Sequence, residues 1–253
     1  MKARSRRLAP CVIIVLTLVV TGCASNKAFE RKQARSLRDR GERYLSVGDN
    51  TRALQQFLKA VELDPDDPYL QFDLAYAYEQ KGLIDKAEDH YKEAIRLKPD
   101  FSDAYNNLGV IYARTGRSDL AIQAYEKALG NILYLTPQKA HFNLGVAYLN
   151  RKEYHKAVEQ FEEAIKIVPD YAKAQVNLGR AYEGLHMDRK ARGAYEKAVE
   201  FAPNSPQTHF YLGKLLYRTG EKSDAAIAFK EVVRLAPESD LASEAKSYLK
   251  YIK

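Results

Sequence analysis

The sequence predicts an all-α fold, a solenoid of six stacked helix pairs closed by one further helix. Three observations predict it. Proline recurs at Pro65, Pro99, Pro169, Pro203 and Pro237, spaced by 34 residues or close to a multiple of it. One small-residue position repeats at Gly41, Ala75, Gly109, Gly145, Gly179 and Gly213. An alanine and then an aromatic follow each of these at fixed offsets: Ala53 and Phe57, Ala87 and Tyr91, Ala121 and Tyr125, Ala157 and Phe161, Ala191 and Tyr195, Ala225 and Phe229. Between these landmarks apolar residues return every three or four positions, the period of amphipathic helices.

Residues 1–22 come first and do not share the repeat. A basic start (Lys2, Arg4, Arg6, Arg7) precedes the apolar stretch Val12–Val20 and then Val20-Thr21-Gly22-Cys23. Nine or so apolar residues make a helix of roughly 15 Å, about half a bilayer core, so the segment is too short to span stably and has the flanks of a secretory signal. Its last four residues resemble the lipobox of bacterial lipoproteins, with Val20 where that family favours leucine. The resemblance implies cleavage before Cys23, acylation of Cys23 and, with Ala24 following, retention at the outer membrane facing the periplasm. More than one acyl chain is needed for stable anchoring, and a multiply acylated cysteine supplies it. Residues 23–33 are expected to be a tether.

Six units follow, at 34–67, 68–101, 102–137, 138–171, 172–205 and 206–239. Gly or Ala at a helix crossing lets two backbones approach, and the large aromatics fill the space beside them. A proline at the end of each unit stops its second helix. No unit buries its apolar faces alone, so the units must stack. The third unit is two residues longer, with Pro137 late, after Gly130-Asn131-Ile132-Leu133-Tyr134-Leu135-Thr136. Gly130 is expected to stop the preceding helix in a left-handed conformation. Leu133, Tyr134 and Leu135 then either tuck between repeats or form an apolar lip for a partner. Residues 240–253 form a last amphipathic helix, with Leu241, Ala245, Tyr248, Leu249 and Ile252 on one side, which caps the stack. Across residues 34–239 this pattern resembles the tetratricopeptide repeat (TPR), whose units wind into a right-handed superhelix.

Composition narrows the function. The formal charge of +7 is misleading, because four cations lie in the first seven residues and the rest holds 36 basic against 33 acidic residues. These are interspersed on helix faces, which argues against nucleic-acid binding. Both cysteines, Cys11 and Cys23, precede the repeats, so the repeats have no thiolate nucleophile, disulfide or zinc-thiolate site. The five histidines lack the His-Glu-x-x-His spacing, and neither a glycine-rich phosphate loop nor a Gly-x-Ser-x-Gly elbow is present. His141 and His209 fall where bulky core residues stand in other repeats. No catalytic set, metal, cofactor or small-molecule substrate is expected.

Binding of a protein or an extended peptide segment is the reading that remains. In TPR superhelices the first helix of each unit lines the concave face. On that mapping Asn107, Asn143 and Asn177, each one residue before a Leu-Gly pair, form a ladder of amides that could pair with a peptide backbone, although Asn is also the ordinary residue there. Tyr69, Phe72 and Tyr76 share one helical face, and Phe142 and Phe210 occupy neighbouring groove positions; exposed aromatics of this kind anchor interfaces. Arg35, Arg38 and Glu42 make the first repeat more charged. A lipobox, a short tether, six repeats and the long third connector together resemble the PilF/PilW lipoproteins of type IV pilus biogenesis, or pilotins. That resemblance implies a role in placing and assembling the pilus secretin at the outer membrane. Envelope adaptors similar to NlpI, which dock peptidases and murein hydrolases, and TPR components of polymer-secretion systems are the alternatives.

Overall fold

The computed structural model describes the backbone of residues 11–252 and the side chains of residues 26–252. The signal peptide expected over 1–22 and the acylation site Cys23 lie outside the residues whose side chains are described. Thirteen helices and no strand are found among the described residues: α1 (Cys11–Ser46), α2 (Asn50–Leu63), α3 (Pro68–Gln80), α4 (Ile84–Leu97), α5 (Ser102–Arg114), α6 (Ser118–Leu129), α7 (Pro137–Asn150), α8 (Tyr154–Ile167), α9 (Ala172–Gly184), α10 (Asp188–Phe201), α11 (Pro206–Arg218), α12 (Lys222–Leu235) and α13 (Asp240–Tyr251). They form two compact units that divide in sequence between Ala104 and Tyr105. Among the described residues no helix is long and apolar enough to cross a membrane.

Local chemistry sets the helix ends. Asp49 and Ser239 accept a backbone N–H from the first turns of α2 and α13, and Asp67 accepts from both Tyr69 and Leu70 at the start of α3. Pro68, Pro137 and Pro206 each open a helix, where the missing N–H costs nothing. Pro137 therefore begins α7 and is not the late terminator of the third unit's second helix. The turn inside each pair demands a left-handed residue, which Gly48, Gly82, Gly116 and Gly220 supply. Lys152 (φ 61°) and His186 (φ 58°) occupy the same turn position in their pairs without glycine's freedom. Gly130, by contrast, is right-handed (φ −66°, ψ −15°), so the expectation of a left-handed stop there is wrong. The connector turns instead through Asn131, whose side chain accepts the Leu133 N–H at 2.9 Å and whose carbonyl accepts the Tyr134 N–H at 3.1 Å.

The core is built at the helix crossings. Phe57, Tyr91, Phe161, Tyr195 and Phe229 are wholly buried, and alanines such as Ala53, Ala87, Ala157, Ala191 and Ala225 are buried with them. A Cβ at Gly41, Gly109, Gly145 or Gly213 would come within 2.5–2.9 Å of the aromatic ring packed over it, so a methyl at these four positions would push the ring from its seat. Each buried ring contributes about 2–3 kcal/mol relative to an exposed one. At the C-terminal end, α13 lays Ala245, Tyr248 and Leu249 against Phe229 and Val232, with Tyr248 stacked on Phe229 at 4.7 Å.

At the other end, α1 differs from expectation. It is continuous helix through residues 26–33, so the stretch expected to be a tether is helical and belongs to the element that carries the first repeat. Ala34 and Leu37 pack from it onto Ala60 and Leu70, and Arg31 reaches Asp64 at 3.5 Å.

Candidate functional site

The first unit presents a charged and aromatic surface on α1, α3 and the turn after α4. Tyr69 and Tyr76 lie two turns apart on α3 and are 42% and 37% exposed. Between them Asp73, only 9% exposed, accepts from Arg38 of α1 at 2.5 Å, and Arg38 also meets Glu42 at 3.1 Å. Arg38 and Lys98 both lie against the Tyr69 ring, at 5.5 and 4.8 Å from its centre, and the Lys98 ammonium donates to the Tyr69 hydroxyl at 2.9 Å. Burial pushes the Asp73 carboxyl up to about 6; Arg38 opposes the shift, while Glu42 and Asp67 reinforce it. The surface thus offers two ring faces, two cations and partly shielded carboxylates to a polypeptide.

Phe72 is partly buried beside that surface. It packs on Tyr91 (5.6 Å) and on Phe101 of the following unit boundary (5.0 Å). The same wedge recurs where Phe142 sits against Phe161 (6.0 Å) and Tyr171 (5.2 Å). Phe210, in the same register, is 3% exposed and packs on Phe229. Phe210 is therefore a packing residue, and its assignment as a groove anchor is corrected; Phe72 and Phe142 pack on their neighbouring rings while remaining partly exposed. Tyr69 and Tyr76 keep the exposure that contact with a partner requires.

In the second unit the asparagines are engaged with one another. Asn143 donates to Asn106 at 3.0 Å, and Asn106 donates to Asn107 at 3.2 Å. Asn177 donates to the Lys173 carbonyl at 2.9 Å and accepts from Arg180 at 2.8 Å; the Arg180 guanidinium lies 5.6 Å from the Tyr211 ring. Asn106 was missed by a reading that followed a single register, although the Asn106-Asn107 doublet was its signal. Asn143 and Asn107 are thus joined through Asn106, while Asn177 is held by Lys173 and Arg180 of its own helix, so part of each amide's capacity is spent inside the protein.

The long connector divides as well. Ile132, Leu133 and Leu135 are 96%, 76% and 91% exposed, while Tyr134 is 9% exposed and packs with Ala128, Ala140, Tyr105 and Leu129. Tyr134 is removed from the lip, since its ring is buried against Ala128 and Ala140. Elsewhere the polar groups serve structure: His141 Nδ1 meets Gln160 at 2.8 Å, and His90 Nδ1 meets Gln71 at 2.7 Å while its ring stacks on Tyr78. Among the described residues no three His, Cys, Asp or Glu side chains lie where they could hold a metal ion.

Comparison with known proteins follows this geometry. Family models described as tetratricopeptide repeat match residues 38–100, 85–132 and 176–240, and a second model of the same description matches 139–171. Among solved structures, PilF of Pseudomonas aeruginosa superposes with a TM-score of 0.76 at 20% identity, covering 86% of this chain and 98% of that one. PilW, a widely conserved type IV pilus biogenesis factor, gives 0.78 at 19% identity, covering 84% and 98%. At these identities the likeness is one of fold. The peroxisomal targeting signal receptor of Candida albicans is 36% identical over 114 residues, or 44% of this chain, and the match spans only 19% of the receptor's length.

Proposed function

Because the chain belongs to the tetratricopeptide-repeat family, a protein-binding scaffold fold, we propose that it is a non-catalytic type IV pilus biogenesis factor, anchored in the outer membrane through acylated Cys23 and assisting the pilus secretin to localise and assemble there. One observation carries the reading: the superpositions cover PilF and PilW almost end to end while using more than four fifths of this chain, so the whole repeat array corresponds and not just two or three common units. The lipobox-like Val20-Thr21-Gly22-Cys23 supports the anchor.

The chemistry of the surface fits a binding role. Tyr69 and Tyr76 supply ring area at low entropic cost, and Arg38 and Lys98 supply cations beside them for the acidic or carbonyl groups of an extended segment. Acyl chains would hold this surface at the leaflet where a secretin inserts, raising the effective concentration of its bound segment without any new contact.

The test is genetic and biochemical. The gene is deleted, and outer membranes are blotted for heat-resistant secretin multimers, with wild-type and Cys23→Ala copies returned in parallel. Loss of multimers restored by the wild type but not by Cys23→Ala is the expected result. Unchanged multimers and normal pili in the deletion strain would end this reading.

A further inference from the structure

We propose that the outward face of α1, carrying Lys27, Arg31, Lys32 and Arg35, binds anionic phospholipid headgroups of the membrane in which the chain is anchored. The proposal rests on the anchoring reading above, and the experiment below separates the two.

Charge is the first argument. Residues 26–46 hold seven Lys or Arg against three Asp or Glu, whereas residues 47–253 hold 29 against 30. The positive excess of everything beyond Cys23 therefore resides on one helix. Geometry is the second. At roughly 100° per residue, Lys27, Arg31 and Arg35 step around α1 by about 40° each, and Lys32 falls about 60° further on. All four are exposed and line one shallow recess with Ala28; Lys27 lies two turns before Ala34 on the same side of α1, while Arg35 and Lys32 point well away from the side that packs Ala34 and Leu37 with α2 and α3. Arg31 meets Asp64 at 3.5 Å but leaves 52% of its side chain in solvent. The carboxylate of Glu30 is held by Asn26 at 2.8 Å, on the opposite side of the helix from Arg35.

An exposed aromatic completes the pattern. Phe29, 59% exposed, stands next to the row on the Lys32 side. A cationic helix face flanked by an exposed ring has the chemistry of an interfacial helix, whose ring enters the acyl boundary while its lysine and arginine heads stay among the phosphates. Position selects the bilayer over any other polyanion. Lys27 is four residues from Cys23, about 6 Å along the helix axis, which is inside a Debye length of about 8 Å at physiological ionic strength. An acylated Cys23 would hold this row against headgroups continuously, with no search in solution.

The experiment uses the full acylated protein in lipid nanodiscs, of phosphatidylcholine alone or with a third of phosphatidylglycerol. Amine-reactive labelling is followed at Lys27 and Lys32, with exposed Lys230 of α12 as the internal control. Each cation near an anionic surface is worth roughly fivefold in binding. Labelling of Lys27 and Lys32 is therefore expected to slow at least tenfold in the anionic discs, to recover near 1 M salt, where the Debye length is about 3 Å, and to recover largely in the Arg31→Gln, Arg35→Gln double variant. Lys230 should be unaffected throughout. Equal rates in the two discs overturn the proposal. So does slowing by poly-glutamate in neutral discs that matches the slowing by phosphatidylglycerol, because the face would then be reading acidic polypeptide. A chain recovered without acyl groups on Cys23 ends the anchoring reading alone; flotation of that chain on phosphatidylglycerol vesicles then decides the face, and failure to float there overturns it.

Discussion

Replacing Asp73 by asparagine changes one charge at the centre of the first unit's surface, and the structure fixes the sign of its pH dependence. The carboxyl is buried between Tyr69 and Tyr76 and titrates near 6 instead of 3.8, with lost hydration as the dominant cause and Arg38 opposing it. A folded pKa above the unfolded one means that the native state binds more protons in between. The contribution of Asp73 to stability is then fully present below pH 3.8 and is lost as pH rises through 6. A shift of about two units corresponds to roughly 3 kcal/mol. Asparagine does not titrate, and Asn107, Asn143 and Asn177 already stand at this register in other repeats. Arg38 keeps Glu42 at 3.1 Å and stays partly hydrated, so its charge is not stranded. The expected outcome is that Asp73→Asn gains about 3 kcal/mol on the wild type between pH 3.5 and pH 7. Urea unfolding of both proteins across that range measures the gap, and carbon-detected NMR titration of the carboxyl checks its cause. A flat gap, or a wild type that gains with pH, would show that the attraction of Arg38 outweighs desolvation and would refute the reasoning.

Other predictions test the packing and the surface. Gly145→Ala places a methyl 2.7 Å from the buried Phe161 ring and should cost about 1–3 kcal/mol. Gly193→Ala, with nothing within 4 Å of the added carbon in the middle of α10, should instead stabilise by about 0.5–1 kcal/mol; thermal melts of the pair that moved in the same direction would contradict the helix-crossing account. Lys152→Gly with His186→Gly relieves two left-handed turns and should raise stability by up to about 1 kcal/mol per site, net of the entropy glycine returns to the unfolded chain. For the surface, Tyr69→Ala with Tyr76→Ala should weaken binding of the proposed partner segment at least tenfold in a pull-down or titration and lower the melt less than loss of Phe72 does, since Tyr69 keeps one edge contact with Phe101 at 5.2 Å. Phe72→Ala should do the reverse, lowering the melt through lost contact with Tyr91 and Phe101.

The helix pairs were legible because each is written six times. Gly145 facing Phe161 and Gly179 facing Tyr195 are one steric solution repeated, and repetition turns a weak local signal into a strong one. What could not be read was which side of a first helix a given ring takes. Phe72 and Tyr76 are four residues apart and close on a helical wheel, yet Phe101 closes over the first and leaves the second open. That difference depends on a residue 29 positions further along the chain. The turn residues Lys152 and His186 were hidden for another reason: their place in the repeat is visible, but a left-handed conformation is a property of the turn and not of their side chains.

The connector shows the limit from the opposite side. Two extra residues could have been absorbed by a bulge, with the run Ile132-Leu133-Tyr134-Leu135 burying all its apolar area. Only the ring of Tyr134 goes in, against Ala128 and Ala140. The remaining three aliphatic side chains stay in solvent at 76% exposure or more. Hydrophobicity alone predicts burial for all four residues. Contact with Ala128 and Ala140, which lie outside the connector, separates Tyr134 as core from three neighbours at the surface, and no property of the four residues taken alone marks that division.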